Sequence, residues 1–201
     1  MVGAIRRAFK YLNCKSFVPL YKSLVRSHLE NSVCAWYPYK IKDITQIESV
    51  QKRATKLLPE LKGIPYQQRL ERLNLPTLEF RRCRGDMIEL YKIINGVYDT
   101  DVTIDIPMRK DNVNSGMVNR GHSKRIYQRY AHLEVRKQSF IFRSTPLWNS
   151  LSEDVVSAPN VNTFKNRLDR YWHNQPMLYR DDVHYIVGAR HQGMIFPCIE
   201  A

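Results

Sequence analysis

The chain contains no run of about eighteen apolar residues, the length a helix needs to cross a bilayer, so no membrane span is expected. Its first residues, Met1-Val2-Gly3-Ala4-Ile5-Arg6-Arg7, lack the apolar stretch of a secretory signal. They do form a basic amphipathic pattern, as a mitochondrial presequence would, but that pattern continues into the body. Cysteine is scarce: four residues, Cys14, Cys34, Cys83 and Cys198, none in a C-x-x-C pair and none at zinc-ligand spacing from a histidine. This speaks against structural zinc and a disulfide framework. It fits a reduced, intracellular setting, nucleus or cytoplasm, with the cysteines as small buried apolar residues. The glycine-rich signatures of phosphate and dinucleotide binding are missing, as is a serine nucleophile elbow. We therefore expect no catalytic residue, no cofactor and no metal site.

Acid is the other scarcity. Lysine and arginine number 32 against 19 aspartates and glutamates, a net charge of +13 over 201 residues. The excess is uneven. Residues 1–97 hold 18 basic and 8 acidic side chains (+10), residues 98–172 hold 12 and 8 (+4), and residues 173–201 hold 2 and 3 (−1). Aromatics lie between the basic positions. A surface of this kind attracts a polyanion, and RNA, DNA or an RNA–DNA hybrid is the partner it first suggests.

Apolar spacing predicts helices through most of the chain. Ile5, Ala8, Phe9 and Leu12 share a face over residues 2–12. Pro19 suits the first turn of a longer helix that Trp36 and Pro38 end. Asp43 with Gln46 resembles a capping box, followed by Ile44, Ile47, Val50, Ala54, Leu57 and Leu58 in an amphipathic helix stopped before Pro59. Pro65 opens a short helix through Leu73. Pro76 and Thr77 start the longest, with Phe80, Cys83, Met87, Leu90, Tyr91 and Ile94 as its stripe and Gly96 just past its end. Gly85 inside it suggests a close helix contact. Residues 98–119 read as a linker or loop. Ile126, Tyr130 and Leu133 allow a pair of short strands. Phe140 to Trp148 is helical, bent or ended by Pro146. Asn160 or Asn162 caps a final helix carrying Phe164, Leu168 and Trp172. The fold expected is mainly α: residues 1–97 a helical bundle, 120–172 a smaller α or mixed α/β segment, and 173–201 a tail.

Several segments carry a resemblance. They are Leu20-Tyr21-Lys22-Ser23-Leu24-Val25-Arg26-Ser27-His28-Leu29-Glu30 with Ala35-Trp36-Tyr37-Pro38, then Val50-Gln51-Lys52-Arg53-Ala54-Thr55-Lys56. A third runs from Arg69-Leu70-Glu71-Arg72-Leu73-Asn74-Leu75-Pro76-Thr77-Leu78-Glu79-Phe80-Arg81-Arg82 into Gly85-Asp86-Met87-Ile88-Glu89-Leu90-Tyr91-Lys92-Ile93. Arg120-Gly121-His122-Ser123, Trp148-Asn149-Ser150-Leu151 and Phe164-Lys165-Asn166-Arg167-Leu168-Asp169 follow. In this order, over roughly residues 3–172, they resemble the region downstream of the catalytic core in reverse transcriptases of non-LTR retrotransposons of the jockey and chicken-repeat type. The resemblance implies a thumb-like helical bundle at 1–97 and a post-thumb segment at 120–172, with the metal-binding palm and the fingers outside the matched part. It implies a non-catalytic grip on template–primer or RNA. The alternative is a decayed or co-opted remnant that self-associates or binds protein through surface the palm would cover.

The candidate phosphate contacts are Lys52, Arg53, Lys56, Arg81, Arg82 and Arg84, with Arg120, His122, Lys124 and Arg125 in the later loop. Phosphate contacts supply affinity without reading sequence. His122 has no carboxylate near it in sequence and is not read as a general base. Tyr37 and Tyr39 pack at a helix end or stack on bases, while Trp36, Trp148 and Trp172 are read as core. Tyr179-Arg180-Asp181-Asp182 fits Y-x-D-D literally, but two-metal chemistry needs a third converging carboxylate. A turn between two short strands is the expected structure there. Asp99, Asp101 and Asp105 lack the glycine and final glutamate of an EF-hand and read as a surface loop.

Overall fold

The computed structural model describes residues 1–99, 101, 103–108, 121–187 and 194–195, and the fold is mainly α-helical. Among the described residues no helix is long and apolar enough to cross a membrane. Two compact units are present: Met1–Arg82 with Pro176–His184, and Cys83–Gln175 with the stretch from Tyr185.

In the first unit, α1 is Val2–Ala8 and buries Ile5. Helix α2, Cys14–Tyr21, begins before the position expected from Pro19, because Asn13 caps it: its Oδ1 accepts from the Ser16 N–H at 2.9 Å. Pro19 therefore sits inside the helix, where it has no N–H to give the carbonyl four residues back. The path continues through a π-helical segment, Lys22–Arg26, and a last α turn, Ser27–Leu29. Helix α3, Ile41–Thr55, starts after Lys40 with no side-chain cap. Asp43, expected in a capping box, instead lies within the first turn, where the positive end of the helix dipole favours it. Helix α4, Tyr66–Leu73, follows Pro65 and stops at Asn74, whose φ of 48° is left-handed. Helix α5, Leu78–Ile94, is the longest. Thr77 starts it, accepting from the Phe80 N–H at 3.2 Å and donating to the Met177 carbonyl at 2.7 Å. Gly96 ends it at φ 63°, with the Val97 N–H reaching back to the Lys92 carbonyl.

Ile5, Phe17, Tyr21, Val25, Ala54, Leu58, Leu61, Leu70, Leu73 and Leu75 form the core of this unit. A buried polar group lies beside it. Ile44, Glu48, Gln51 and Thr55 recur at helical spacing on α3 and are all buried. The Glu48 carboxylate accepts from the Tyr66 hydroxyl at 2.5 Å and from the Leu78 N–H at 2.9 Å. Gln51 accepts from the Tyr21 hydroxyl at 2.6 Å and donates to the Pro76 carbonyl at 3.0 Å. Burial without such partners would cost several kcal/mol; with them, these two side chains join α2, α3, α4 and the start of α5.

In the second unit the remainder of α5 buries Cys83, Met87, Leu90 and Tyr91. Helix α6 is Glu134–Lys137, α7 is Phe140–Asn149 with Pro146 inside it, α8 is Glu153–Val156 and α9 is Val161–Tyr171. Asn160 caps α9, accepting from the Thr163 N–H at 2.8 Å. Phe164, Leu168 and Trp172 are buried at their helical spacing. Tyr91 stacks on Phe164 with centroids 4.3 Å apart and donates to the Ala158 carbonyl at 2.6 Å. Arg143 and Asp86 form a buried bidentate pair at 2.9 and 3.2 Å. The strands expected near Ile126 are reduced to one antiparallel bridge, Met108–Ile126. A hairpin-like pair, β1 (Ile186–Val187) and β2 (Met194–Ile195), follows later.

Gly85 has no close helix neighbour: a Cβ built there would meet nothing within 4 Å. Gly85→Ala should therefore raise stability by about 1 kcal/mol, read by urea unfolding. Stability should also depend on pH. Desolvation pushes the Glu48 carboxyl from its ordinary 4.5 up to about 7, against the pull of its donors and of Arg82. The folded chain then holds a proton that the unfolded chain has released, so stability falls as pH rises from about 4.5 to about 7. The hydrogen bond to Glu79 raises the His184 pKa above 6.5. That contribution is full below 6.5 and is lost as pH climbs through the raised value, which adds to the same slope. Melting temperature should decline from pH 5 to 8, and Glu48→Gln should flatten the decline.

Candidate nucleic-acid interface

The basic side chains divide by what already neutralises them. On α3, Arg53 is exposed and, among the described residues, donates to the Ser49 carbonyl, at 3.3 Å, and weakly to its hydroxyl, at 3.5 Å. Lys56 is exposed at the helix end, with no ion pair among the described residues. Lys52 differs: it is half-buried, paired with Asp181, and lies 5.3 Å from the Tyr66 ring centroid. Arg53 and Lys56 remain open to an external anion, and Lys52 would have to leave Asp181.

The Arg81-Arg82-Arg84 cluster is mostly committed to the fold. Arg81 forks onto Glu30, with Nη2 to Oε2 at 2.8 Å. Arg84 forks onto Asp169 at 2.5 and 2.7 Å. Arg82 is only 2% exposed and has its guanidinium 5.9 Å from the Trp36 ring centroid. As a contact for solvent-borne phosphate, Arg82 is corrected to an interior cation. Its charge also favours the ionised form of Glu48. Trp36, expected in the core, is itself partly exposed, whereas Trp148 and Trp172 are buried. Tyr37 is buried and Tyr39 half-buried, both unsuited to a stacking platform.

A different basic cluster emerges in the first unit. Lys22 and Arg26 lie on the π-helical segment, and Arg26 shares Glu30 with Arg81, at 3.5 Å. Both Lys22 and Arg26 are held below their ordinary pKa, by desolvation first and then by neighbouring cations: Arg26 and Arg81 act on Lys22, and Arg81 acts on Arg26. Two arginines thus share one acid, with Lys22 near both of them. Only the i, i+4, i+8 offset of Lys22, Arg26 and Glu30 is visible in the sequence; the approach of Arg81 is a long-range contact. Arg6, Arg7, Lys10 and Lys15 are exposed as well.

In the second unit His122 is 3% exposed, 2.9 Å from the Trp148 carbonyl through Nε2, and edge-on to the Trp148 ring. It is a packing residue, and its expected role at phosphate is corrected on that ground. Lys124 donates to Asn95 at 2.5 Å, and its own carbonyl accepts from the Trp148 indole at 2.7 Å. Arg125 folds back on Gly121, where a Cβ would stand 2.4 Å from the Arg125 Cδ. Arg120 lies outside the described residues. The structure thus brings His122, Lys124 and Trp148 together around an interior, and leaves neither His122 nor Lys124 as a free surface group.

Asp181 and Asp182 do not form a metal site. Asp181 pairs with Lys52, and Asp182 accepts from Arg180 at 3.1 and 2.6 Å. Among the described residues no group of three histidine, cysteine, aspartate or glutamate side chains is placed to hold a metal ion. No protein-family model matches the chain, and neither does any curated protein or solved structure.

His122→Ala should cost about 1–3 kcal/mol through the lost buried hydrogen bond. It should leave the affinity for any polyanion unchanged, as judged by thermal melting and fluorescence anisotropy on the same variant.

Proposed function

We propose that this chain binds nucleic acid without catalysing a reaction, gripping backbone phosphates as the thumb-like region of a non-LTR retrotransposon reverse transcriptase would. The observation that carries the reading is that Arg26 and Arg81 share the single acid Glu30, with Lys22 close enough to both arginines to feel their charge, which leaves a local excess of positive charge. An incoming phosphate relieves that repulsion. Arg53 and Lys56 add exposed cations in the same unit. Contacts of this kind hold a strand or hybrid by its backbone and discriminate little between sequences. The partner is RNA, DNA or an RNA–DNA hybrid, and the setting is intracellular, nucleus or cytoplasm.

Lys22 and Arg53 are exposed, so reversing their charge spares the core. Lys22→Glu with Arg53→Glu should weaken binding to RNA, DNA and hybrid by a similar factor, about tenfold or more, with an unchanged circular dichroism spectrum. Undiminished affinity for all three would contradict the phosphate grip.

A further inference from the structure

We infer that residues 127–136 form a stacking surface for unpaired bases, so that the second unit binds single-stranded nucleic acid; this rests on the nucleic-acid reading above. The segment is pinned at Ile126–Tyr127 and again at Ala131, and its other side chains are open. Ile126 is buried, its N–H donating to the Asn149 side-chain oxygen and its carbonyl accepting from the Asn149 amide, each at 2.9 Å. The Tyr127 N–H donates to the Pro107 carbonyl at 2.8 Å, and Ala131 is buried. Between these anchors Tyr127 is 58% exposed and Tyr130 is 80% exposed. Beyond them Leu133 and Val135 are 71% and 76% exposed.

A soluble surface rarely holds two tyrosines, a leucine and a valine this open within nine residues without a partner to cover them. Charge says which partner. Between residues 121 and 139 stand Lys124, Arg125, Arg129, Arg136 and Lys137 against the single acid Glu134, a net +4. Arg129 and Arg136 are exposed. Tyrosine and arginine serve protein interfaces too, but lysine is depleted there; an excess of four positive charges that includes Lys124 and Lys137 selects a polyanion, and in a single strand every base has a π-face to stack and every linkage a phosphate to neutralise. Tyr130 also has the His132 ring edge-on at a centroid distance of 4.8 Å, which orients it without covering it. The backbone at 127–131 is non-helical, so Tyr127 and Tyr130 stand at most about 10 Å apart along the chain.

The probe is a fluorescein-labelled oligouridylate, compared by anisotropy with an abasic strand of equal length and with duplex DNA, using the full chain. The parent should prefer the oligouridylate to the abasic strand. Tyr127→Ala with Tyr130→Ala should weaken oligouridylate binding about tenfold or more, leave duplex binding in place and keep the salt dependence, while the two tyrosine-to-phenylalanine changes should retain the parent's affinity. Equal parent affinity for oligouridylate and abasic strand would overturn the stacking surface even if the alanine variant folded poorly. So would an alanine variant that binds oligouridylate as the parent does. If Lys22→Glu with Arg53→Glu weakened binding in that case, the phosphate grip would stand and the stacking surface would fall alone. A parent that binds no polyanion would remove both. Self-association of the parent by sedimentation, lost in the alanine variant with oligouridylate affinity unaltered, would assign the face to a second copy of the chain instead.

Discussion

One buried carboxylate, Glu48, determines how the segments of the first unit meet. It accepts from the Tyr66 hydroxyl on α4 and from the Leu78 N–H at the first turn of α5. Three residues on, Gln51 reaches Tyr21 of α2 and the Pro76 carbonyl. Apolar packing alone is non-directional; hydrogen bonds with fixed geometry choose one arrangement of those helices. The choice carries a strain of its own, because removing the carboxylate from water raises its pKa to about 7. Two hydrogen-bond donors and the nearby Arg82 charge offset only part of that desolvation. The start of α5 is thereby tied to a group that changes charge near neutral pH.

The arginines show why net charge overstates free charge. Arg143 is spent on Asp86 in the interior, Arg84 on Asp169 and Arg81 on Glu30. Arg82 is buried against Trp36. The fork geometry of guanidinium suits it to such fixed pairings. What remains for an outside polyanion is the charge left over where Arg26 and Arg81 share Glu30 beside Lys22, the exposed Arg53 and Lys56, and the open basic positions of the amino-terminal helices. The uncommitted positive charge is smaller than +13 suggests.

Local features were legible from sequence where local chemistry decides. The amphipathic stripe of α5, the glycine at its end, the start of α4 after Pro65 and the Asn160 cap all follow from residues within a turn of one another. The start of α2 turned on a competition between Asn13 and Pro19, two local signals, and the cap won because its side chain satisfies an N–H that is otherwise orphaned. Glu48 and Gln51 could have been noticed as polar residues in register with Ile44 and Thr55. Their partners, 18 to 30 residues away in sequence, could not. The same limit governs the site. Arg53 and Lys56 are exposed as their helix phase implies, whereas the fates of Arg81, Arg84 and His122 were set by Glu30, Asp169 and Trp148, which no spacing rule connects to them.

The most direct measurement is the affinity of the purified chain for a short RNA–DNA hybrid across a series of salt concentrations. A grip through several phosphates releases counterions, so the logarithm of the association constant should fall linearly with the logarithm of salt concentration, with a slope of several units. Absence of saturable binding at low salt would contradict the account and leave the basic faces as solvated surface.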